Sequence, residues 1–319
     1  MKNDYNIRSI KKEFSEKGIY YTPEGLAKKM MEYIAIDAVS EVYDPTSGDG
    51  ALLSFFSDDV KKYGQEINEN QLEYAKSVLK NFTGVCGDTL KNPAFLDKKF
   101  DCIFGNPPFS VTWEPPVSGL FGDARFCAPK MPPKSKADYA FILHILHYLS
   151  ETGVAVVLNF PGILYRGGAE YEIRKWIVEK NYIERIVRIP GKTFVDTQIE
   201  TALIIFKKNK TTTNIIFEDL ALGKEAEVSF NDIEKNDFCL SVSQYVFEDE
   251  VKEFIDPVAL MTAARTQMLK KLKNEFDFEL EVCKLEHVDP TPFFEDVSRL
   301  ALEYIDLVKK SKDPEPNTN

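Results

Sequence analysis

Long hydrophobic runs are missing from this 319-residue chain, and with them any candidate for a membrane-spanning helix. Histidine is scarce, at three residues, and the five cysteines (Cys86, Cys102, Cys127, Cys239, Cys283) are scattered without a C-x-x-C pair. That weighs against a zinc site, and no metal is expected. Cys86 and Cys102 sit in apolar segments and read as core thiols. The opening Met1-Lys2-Asn3-Asp4 does not read as a signal peptide, so a reducing cytoplasm is the expected location.

Positive charge is also missing where a nucleic-acid protein would want it. The formal net charge is −11, awkward for any partner whose phosphates dominate affinity. The deficit is local. Residues 211–319 hold 12 Lys+Arg against 24 Asp+Glu, which leaves 28 against 27 for residues 1–210. The first part is near neutral, so its basic side chains can still cluster around a site. The acidic part is unsuited to gripping DNA and is expected to face protein.

The most informative segment present is Asn106-Pro107-Pro108-Phe109, directly after the apolar strand candidate Phe100 to Phe104. An exocyclic adenine amine is a poor nucleophile because its lone pair is delocalised into the ring. A site that methylates it needs acceptors on both amine hydrogens and a flat surface for the base. Asn106 offers a side-chain carbonyl, and the rigid Pro107-Pro108 pair can aim a main-chain carbonyl. Phe109 supplies a stacking face for a base taken out of its duplex. Taken alone, the segment also fits a strand ending in a Pro-Pro turn.

Three further turns precede it. In Asp44-Pro45-Thr46-Ser47-Gly48-Asp49-Gly50 a strand end runs into a Gly-x-Gly turn, where the backbone can approach a ligand closely. The turn lacks the third glycine of a dinucleotide fingerprint. Glu66, in Tyr63 to Asn68, places a carboxylate at a strand end, suited to ribose hydroxyls. Asp88, in Gly87-Asp88-Thr89-Leu90, can accept from an adenine amino group. Each alone is an ordinary strand-to-helix turn. Four in this order, at the ends of four successive strands, are a far more specific signal.

Together these segments resemble the modification subunits of type I restriction–modification systems, within the N6-adenine DNA methyltransferases. The resemblance runs from about Gly18 to Lys208. Gly18-Ile19-Tyr20-Tyr21-Thr22-Pro23 is similar to the family's G-x-Y-F-T-P, Asp44 to Leu53 to its D-P-x-x-G-x-G-x-x-L, and Asn106 to Phe109 to its N-P-P-F. Ala137 to Ile142, Gly162 to Gly168, Ile189 to Phe194 and Thr201 to Phe206 follow the family pattern too. The resemblance implies a class I, Rossmann-like, S-adenosylmethionine-dependent fold with a seven-stranded, mostly parallel sheet. It implies methyl transfer from S-adenosylmethionine to adenine N6 in double-stranded DNA. Asp44, Thr46, Gly48 and Gly50 would shape the methionine end of the cofactor site, Glu66 would hold the ribose and Asp88 the adenine. Tyr21 and Thr22 would close the pocket. Asn106, Pro107, Pro108 and Phe109 would form the catalytic segment. A separate specificity subunit and a restriction subunit are the implied partners. Family members usually carry a sizeable helical domain before the first motif, where about 17 residues stand here. Two alternatives stay open: a free-standing DNA adenine methyltransferase, and an enzyme that methylates protein glutamine amides, which also uses Asn-Pro-Pro plus an aromatic residue.

Strands are expected at 41–44, 62–66, 83–86, 100–104, 153–160, 183–189 and 201–207, the last two antiparallel. A short helix is expected from Ile7 to Phe14, and Thr22 is expected to cap a helix over 23–34. Residues 110–137, rich in proline, carry Arg125, Lys130, Lys134 and Lys136 beside Trp113, Phe121 and Phe126. They suit either a nucleic-acid contact or a loop with its aromatics tucked into the core. The chain is expected to divide into a methyltransferase domain over 1–210 and a tail over 211–319. The tail would hold a small β element (Asn214 to Glu218, Glu227 to Phe230) and two amphipathic helices over 257–276 and 292–310. Those helices suit either a hairpin packed on its own domain or, as the favoured reading, a docking surface for a partner. Residues 311–319 carry no pattern.

Overall fold

The computed structural model describes residues 22–116, 122–192, 199–248 and 257–310. The expected helix at 7–14, the motif residues Gly18 to Tyr21, Phe121, Phe194 and residues 311–319 lie outside the described residues. The chain falls into two units, Met1–Glu248 and Asp249–Asn319.

The first unit is built on one sheet. Its strands are β1 (Glu41–Asp44), β2 (Lys61–Glu66), β3 (Phe82–Cys86), β4 (Phe100–Gly105), β5 (Leu149–Asn159), β6 (Ile183–Ile189), β7 (Thr201–Lys207), β8 (Ile215–Asp219) and β9 (Lys224–Val228). They lie in the order β3-β2-β1-β4-β5-β7-β6-β8-β9. β1 to β5 pair in parallel, with Tyr43 opposite Tyr63 and Ile103, and Gly105 opposite Val157. β7 runs antiparallel between β5 and β6, as the sequence predicts. The strand order reverses between β1 and β4, which opens a crevice at their carboxyl ends.

Nine strands replace the expected seven. β8 pairs in parallel with β6, Arg185 opposite Ile216, and β9 closes on β8. Alternation in Ile215-Ile216-Phe217-Glu218-Asp219 buries the first, third and fifth side chains, and Phe217 packs its ring against Tyr245 at 4.3 Å. The segment assigned to the tail therefore belongs to the sheet, and the break between units falls after Glu248 rather than after 210.

The central strands are apolar on both faces because helices cover both. One face joins Tyr43, Phe100, Ile103 and Val157 to α3 (Asp138–Tyr148) and α4 (Ala169–Glu179). The other joins Val42, Cys102, Phe104 and Leu158 to α1 (Glu24–Met31), which buries Leu26, Ala27 and Met30. Burial pushes the Cys102 thiol well above its usual range, as expected of a core residue, whereas Cys86, also expected in the core, is exposed at the end of the edge strand β3. α2 (Glu69–Val78) follows β2, capped by the Asn68 side chain on the amides of Asn70 and Gln71. α5 (Phe230–Lys235), capped by Ser229, begins where the second tail strand was expected to end.

In the second unit, α6 (Pro257–Glu286) runs ten residues past its expected end and α7 (Thr291–Lys310) begins one residue early. No proline or glycine interrupts the chain before Pro290, so nothing stops α6 at Phe276. Phe276 contacts the rings of Phe293 and Phe294 at 6.3 and 5.4 Å. Leu300, Tyr304, Leu307 and Val308 remain exposed. Among the described residues, no helix is long and apolar enough to cross a membrane.

Candidate active site

The four expected turns meet at one cleft of about 620 Å³. The lining takes 44–49, Ala51 and Leu52 from the end of β1 and its turn, 65–67 and Gln71 from the end of β2 and beyond, 87–91 after β3, and Asn106, Pro108 and 111–114 after β4. Parallel pairing of these strands puts all four carboxyl ends on one edge of the sheet. Thr22, Ala137 and Phe141 complete the lining.

Asp44 ends β1 almost fully buried. One of its oxygens, Oδ1, accepts from the Thr46 amide at 2.9 Å and from Thr46 Oγ1 at 3.4 Å. Burial, with Glu66 adding like charge, pushes its carboxyl up to about 7. Glu66 bridges two loops, accepting from the Gly48 amide at 2.9 Å and the Asn68 amide at 2.8 Å. Asp88 folds its own turn, its Oδ1 accepting from the amides of Leu90 and Lys91 at 2.9 and 3.2 Å. Asp44, Thr46, Gly48, Glu66, Asp88 and Thr22 all line the cleft.

The two glycines of the first turn differ. Both have positive φ, +53° at Gly48 and +86° at Gly50, which favours glycine. A Cβ on Gly48 would meet only Gln71 Oε1, at 3.8 Å, whereas one on Gly50 would fall 2.6 Å from Leu79 Cδ1. Gly48 thus borders open cleft. Gly50 lies outside the lining, and its missing side chain makes room for Ala75 and Leu79 at the C-terminal end of α2.

Asn106 holds the feature with most chemical meaning. Its Nδ2 donates to Thr22 Oγ1 at 3.0 Å. That bond fixes the amide plane and leaves Oδ1 buried with no hydrogen-bond partner. A buried carbonyl left unpaired costs free energy, so the site is built to receive a donor. Thr22 does not cap α1. The N-cap position falls to Pro23 without a side-chain cap, because the Thr22 hydroxyl serves Asn106 instead. Pro108 lines the cleft, Pro107 is buried, and Phe109 is half-buried against the α1 face of the core, outside the lining.

Within the described part of the 110–137 loop, the aromatic residues and Arg125 are tucked in, while Lys130 and Lys134 are exposed. Trp113 and Phe126 are buried and 5.2 Å apart, and Trp113 reaches the cleft wall. Arg125, read from sequence as a possible contact to nucleic acid, is buried. It donates to the carbonyls of Thr89 and Leu90 at 3.0 and 2.8 Å and pairs with Asp123 at 2.6 Å. A guanidinium only donates, so His144 Nδ1 accepts from it at 3.2 Å and Nε2 faces the Tyr43 hydroxyl at 3.0 Å. Burial and Arg125 hold the His144 pKa well below its usual value. This chain pins the Asp88 turn to α3. Sequence reading missed it, and also missed Gln65, which ties the main chain at Asn92 and Ala94.

Residues 4–226 match the N-6 DNA Methylase family. The type I restriction enzyme MpnII methylase subunit of Mycoplasma pneumoniae is 34% identical over 233 residues, covering 63% of this chain and 42% of that protein. The MjaVII methylase subunit of Methanocaldococcus jannaschii is 29% identical over 300 residues, covering 76% and 51%. The chain spans about half the length of these curated relatives. Among solved structures, the type I restriction-modification system methyltransferase subunit from Streptococcus thermophilus superposes with a TM-score of 0.65 at 30% identity, covering 72% of this chain and 59% of that one. The sheet is accordingly that of a methyltransferase, with two strands more than the seven expected from the sequence. With the match reaching from the N-terminal segment through the cleft to β9, the chain belongs to the N-6 DNA Methylase family.

Proposed function

We propose that the chain transfers a methyl group from S-adenosylmethionine to N6 of adenine in DNA, as the modification component of a type I restriction–modification system. The observation that carries this reading is the orphaned Asn106 Oδ1 in the wall of an acidic cleft.

The donor set suits the cofactor. S-adenosylmethionine carries a net positive charge: beside its one carboxylate it offers an ammonium, a sulfonium, ribose hydroxyls and an adenine amine. The cleft answers with the carboxylates of Asp44, Glu66 and Asp88, and Gly48 presents backbone with no side chain in the way. Asp44 and Thr46 would take the methionine end, Glu66 the ribose, and Asp88 the adenine. Tyr21 would close the site beside Thr22. When bound, the cofactor supplies an electrophilic methyl group on sulfur.

The chain's own task is orientation. Asn106 Oδ1 accepts one hydrogen of the target amine, and the Pro107 carbonyl would accept the other. That draws the amine lone pair toward the methyl group. Phe109 would stack on the flipped base. A strong general base is unnecessary, since the proton is lost after the amine has become cationic.

Double-stranded DNA, a specificity subunit and a restriction subunit are the proposed partners, in the cytoplasm. Support for docking comes from the exposed apolar side chains of α7 and from the acidity of residues 211–319. Incubation with labelled S-adenosylmethionine and unmethylated DNA, with and without a co-purified partner, tests the reading. Label in DNA adenine is the expected result. Label in protein glutamine would overturn it, and sequence-selective methylation by the chain alone would favour a free-standing enzyme.

A further inference from the structure

Two segments singled out by sequence, Ala137 to Ile142 and Gly162 to Gly168, have no part in the chemistry so far. They converge on the residue that follows the catalytic segment. Ser110 has a φ of +52°, uncommon for a residue with a side chain. Its amide donates to Asp138 Oδ1 at 3.0 Å, from the first turn of α3. Asp138 is 1% exposed, and its second oxygen, Oδ2, is buried without a hydrogen-bond partner.

The nearest cation is Arg166. Its guanidinium lies 3.8 Å from Asp138 Oδ2, 3.3 Å from Glu170 Oε1 and 3.4 Å from Ser110 Oγ, over the ring of Phe160 at 5.5 Å. The position is built for it. A Cβ on Gly162 would fall 2.6 Å from Arg166 Nε, so a side chain there would push the guanidinium out of this place. Lys136 approaches Glu170 from the other side at 3.8 Å. A buried carboxylate kept at such cost, with a guanidinium beside it, needs a reason.

We propose that Asp138 is a positioning residue, whose carboxylate, steadied by Arg166, holds the Ser110 amide and thereby fixes the turn that aims Asn106 to Phe109. The inference rests on the proposed methyl transfer. Phe109 ends the segment with its ring half-buried, and the next peptide is anchored not to the sheet but to α3. Without that anchor Ser110 has no stated reason to keep a positive φ, and relaxation there carries Phe109 and the Pro107 carbonyl with it. Asp138 touches neither the amine nor the cofactor cleft, so its loss should act on turnover alone.

The test uses the full chain with whatever partner activity requires. Asp138→Ala should lower kcat by about 100-fold, the scale of a 1 Å misplacement, with KM for S-adenosylmethionine within about twofold of the parent. Asp138→Asn, which keeps an acceptor for the Ser110 amide, should recover kcat to within about fivefold. A merely structural role would move both KM and thermal stability without rescue by the amide. Independently of any variant or activity, hydrogen exchange on the parent should find the Ser110 amide protected although it lies outside every helix and strand. Fast exchange at Ser110 overturns the proposal even if Asp138→Ala fails to fold. Parent-like kcat in Asp138→Ala overturns it too, as does equal loss in the two variants. If the parent itself does not methylate DNA, the functional reading fails, and protection at Ser110 still decides whether the anchor exists.

Discussion

Asp44→Asn separates what the buried carboxylate costs the fold from what it gives the ligand. In the free chain the Asp44 carboxyl is pushed up to about 7 from an ordinary value of 3.8. Burial is the main cause and the neighbouring Glu66 adds to it, while the Thr46 amide opposes it. A rise of that size corresponds to about 4 kcal/mol held against ionisation, at 1.36 kcal/mol per pH unit. The sign follows from proton binding. Between about pH 4 and pH 7 the folded chain keeps a proton at Asp44 that the unfolded chain has released, so stability falls as pH rises. Above pH 7 both states are ionised and the loss is complete.

The amide variant cannot ionise and escapes this slope. Urea unfolding of parent and variant from pH 5 to pH 8, without ligand, should show the parent losing about 2–3 kcal/mol relative to Asp44→Asn. Other titrating groups are common to both chains and cancel. Binding should run the opposite way. The ionised carboxylate is the form that accepts from an ammonium, so the parent's affinity for S-adenosylhomocysteine should strengthen from pH 5.5 toward pH 7, by up to about tenfold per pH unit. Calorimetry on Asp44→Asn should find weaker binding with little pH dependence over that range. Superimposable stability profiles would refute the burial argument. Parent affinity that is flat or weakens with rising pH would remove Asp44 from the cation site.

Asn106→Ala should lower methylation by about two to three orders of magnitude with S-adenosylhomocysteine affinity nearly intact, since one preorganised polar contact is lost; full turnover would remove Asn106 from the mechanism. Phe109→Ala should weaken engagement of the flipped base by about 1–3 kcal/mol, read with a fluorescent base analogue at the target position. Gly50→Ala should destabilise the chain by about 1–3 kcal/mol in urea unfolding, because the new methyl group would sit 2.6 Å from Leu79 Cδ1. Ligand affinity of the folded fraction should be spared. Deleting residues 257–310 should abolish co-elution with a specificity subunit in size-exclusion chromatography while sparing cofactor binding; continued assembly would make α6 and α7 a brace.

Much of the sheet was legible because its information is local. β6 and β7 fall where their apolar runs predict, and four cleft turns are announced by glycine, proline and acidic residues at strand ends. What was hidden depends on distant pairing. Thr22 reads as a helix cap until Asn106, 84 residues away, competes for its hydroxyl. Gly48 and Gly50 look equivalent in sequence, and only the packing of Leu79 tells the open position from the crowded one. Arg125 among prolines and aromatics reads as a surface contact, yet the carbonyls of Thr89 and Leu90 and the ring of His144 give it enough partners to be buried. β8 and β9 follow a change in composition that reads as a boundary, and only their pairing with β6 shows the sheet continuing.

The acidity of the cleft also constrains how a nucleic acid can use it. Asp44, Asp49, Glu66 and Asp88 stand around one cavity, an arrangement that attracts a cationic cofactor and repels phosphate within a Debye length, about 8–10 Å. On the proposed reading the DNA backbone therefore stays outside, and only an uncharged base can be brought to Asn106. A base still stacked in its duplex cannot travel apart from its phosphates, so the electrostatics require the adenine to be flipped. The phosphates need cations beyond the acidic zone. Lys130 and Lys134 are exposed on the 110–137 loop, while Arg125 is committed to the interior and Lys136 approaches Glu170. Among the described residues of this loop, two exposed lysines are few against the several phosphate contacts of a tight DNA complex. On the proposed reading, the near-neutral charge of the first 210 residues suits the chemistry better than the grip, and a separate subunit supplying affinity and sequence choice would fit it.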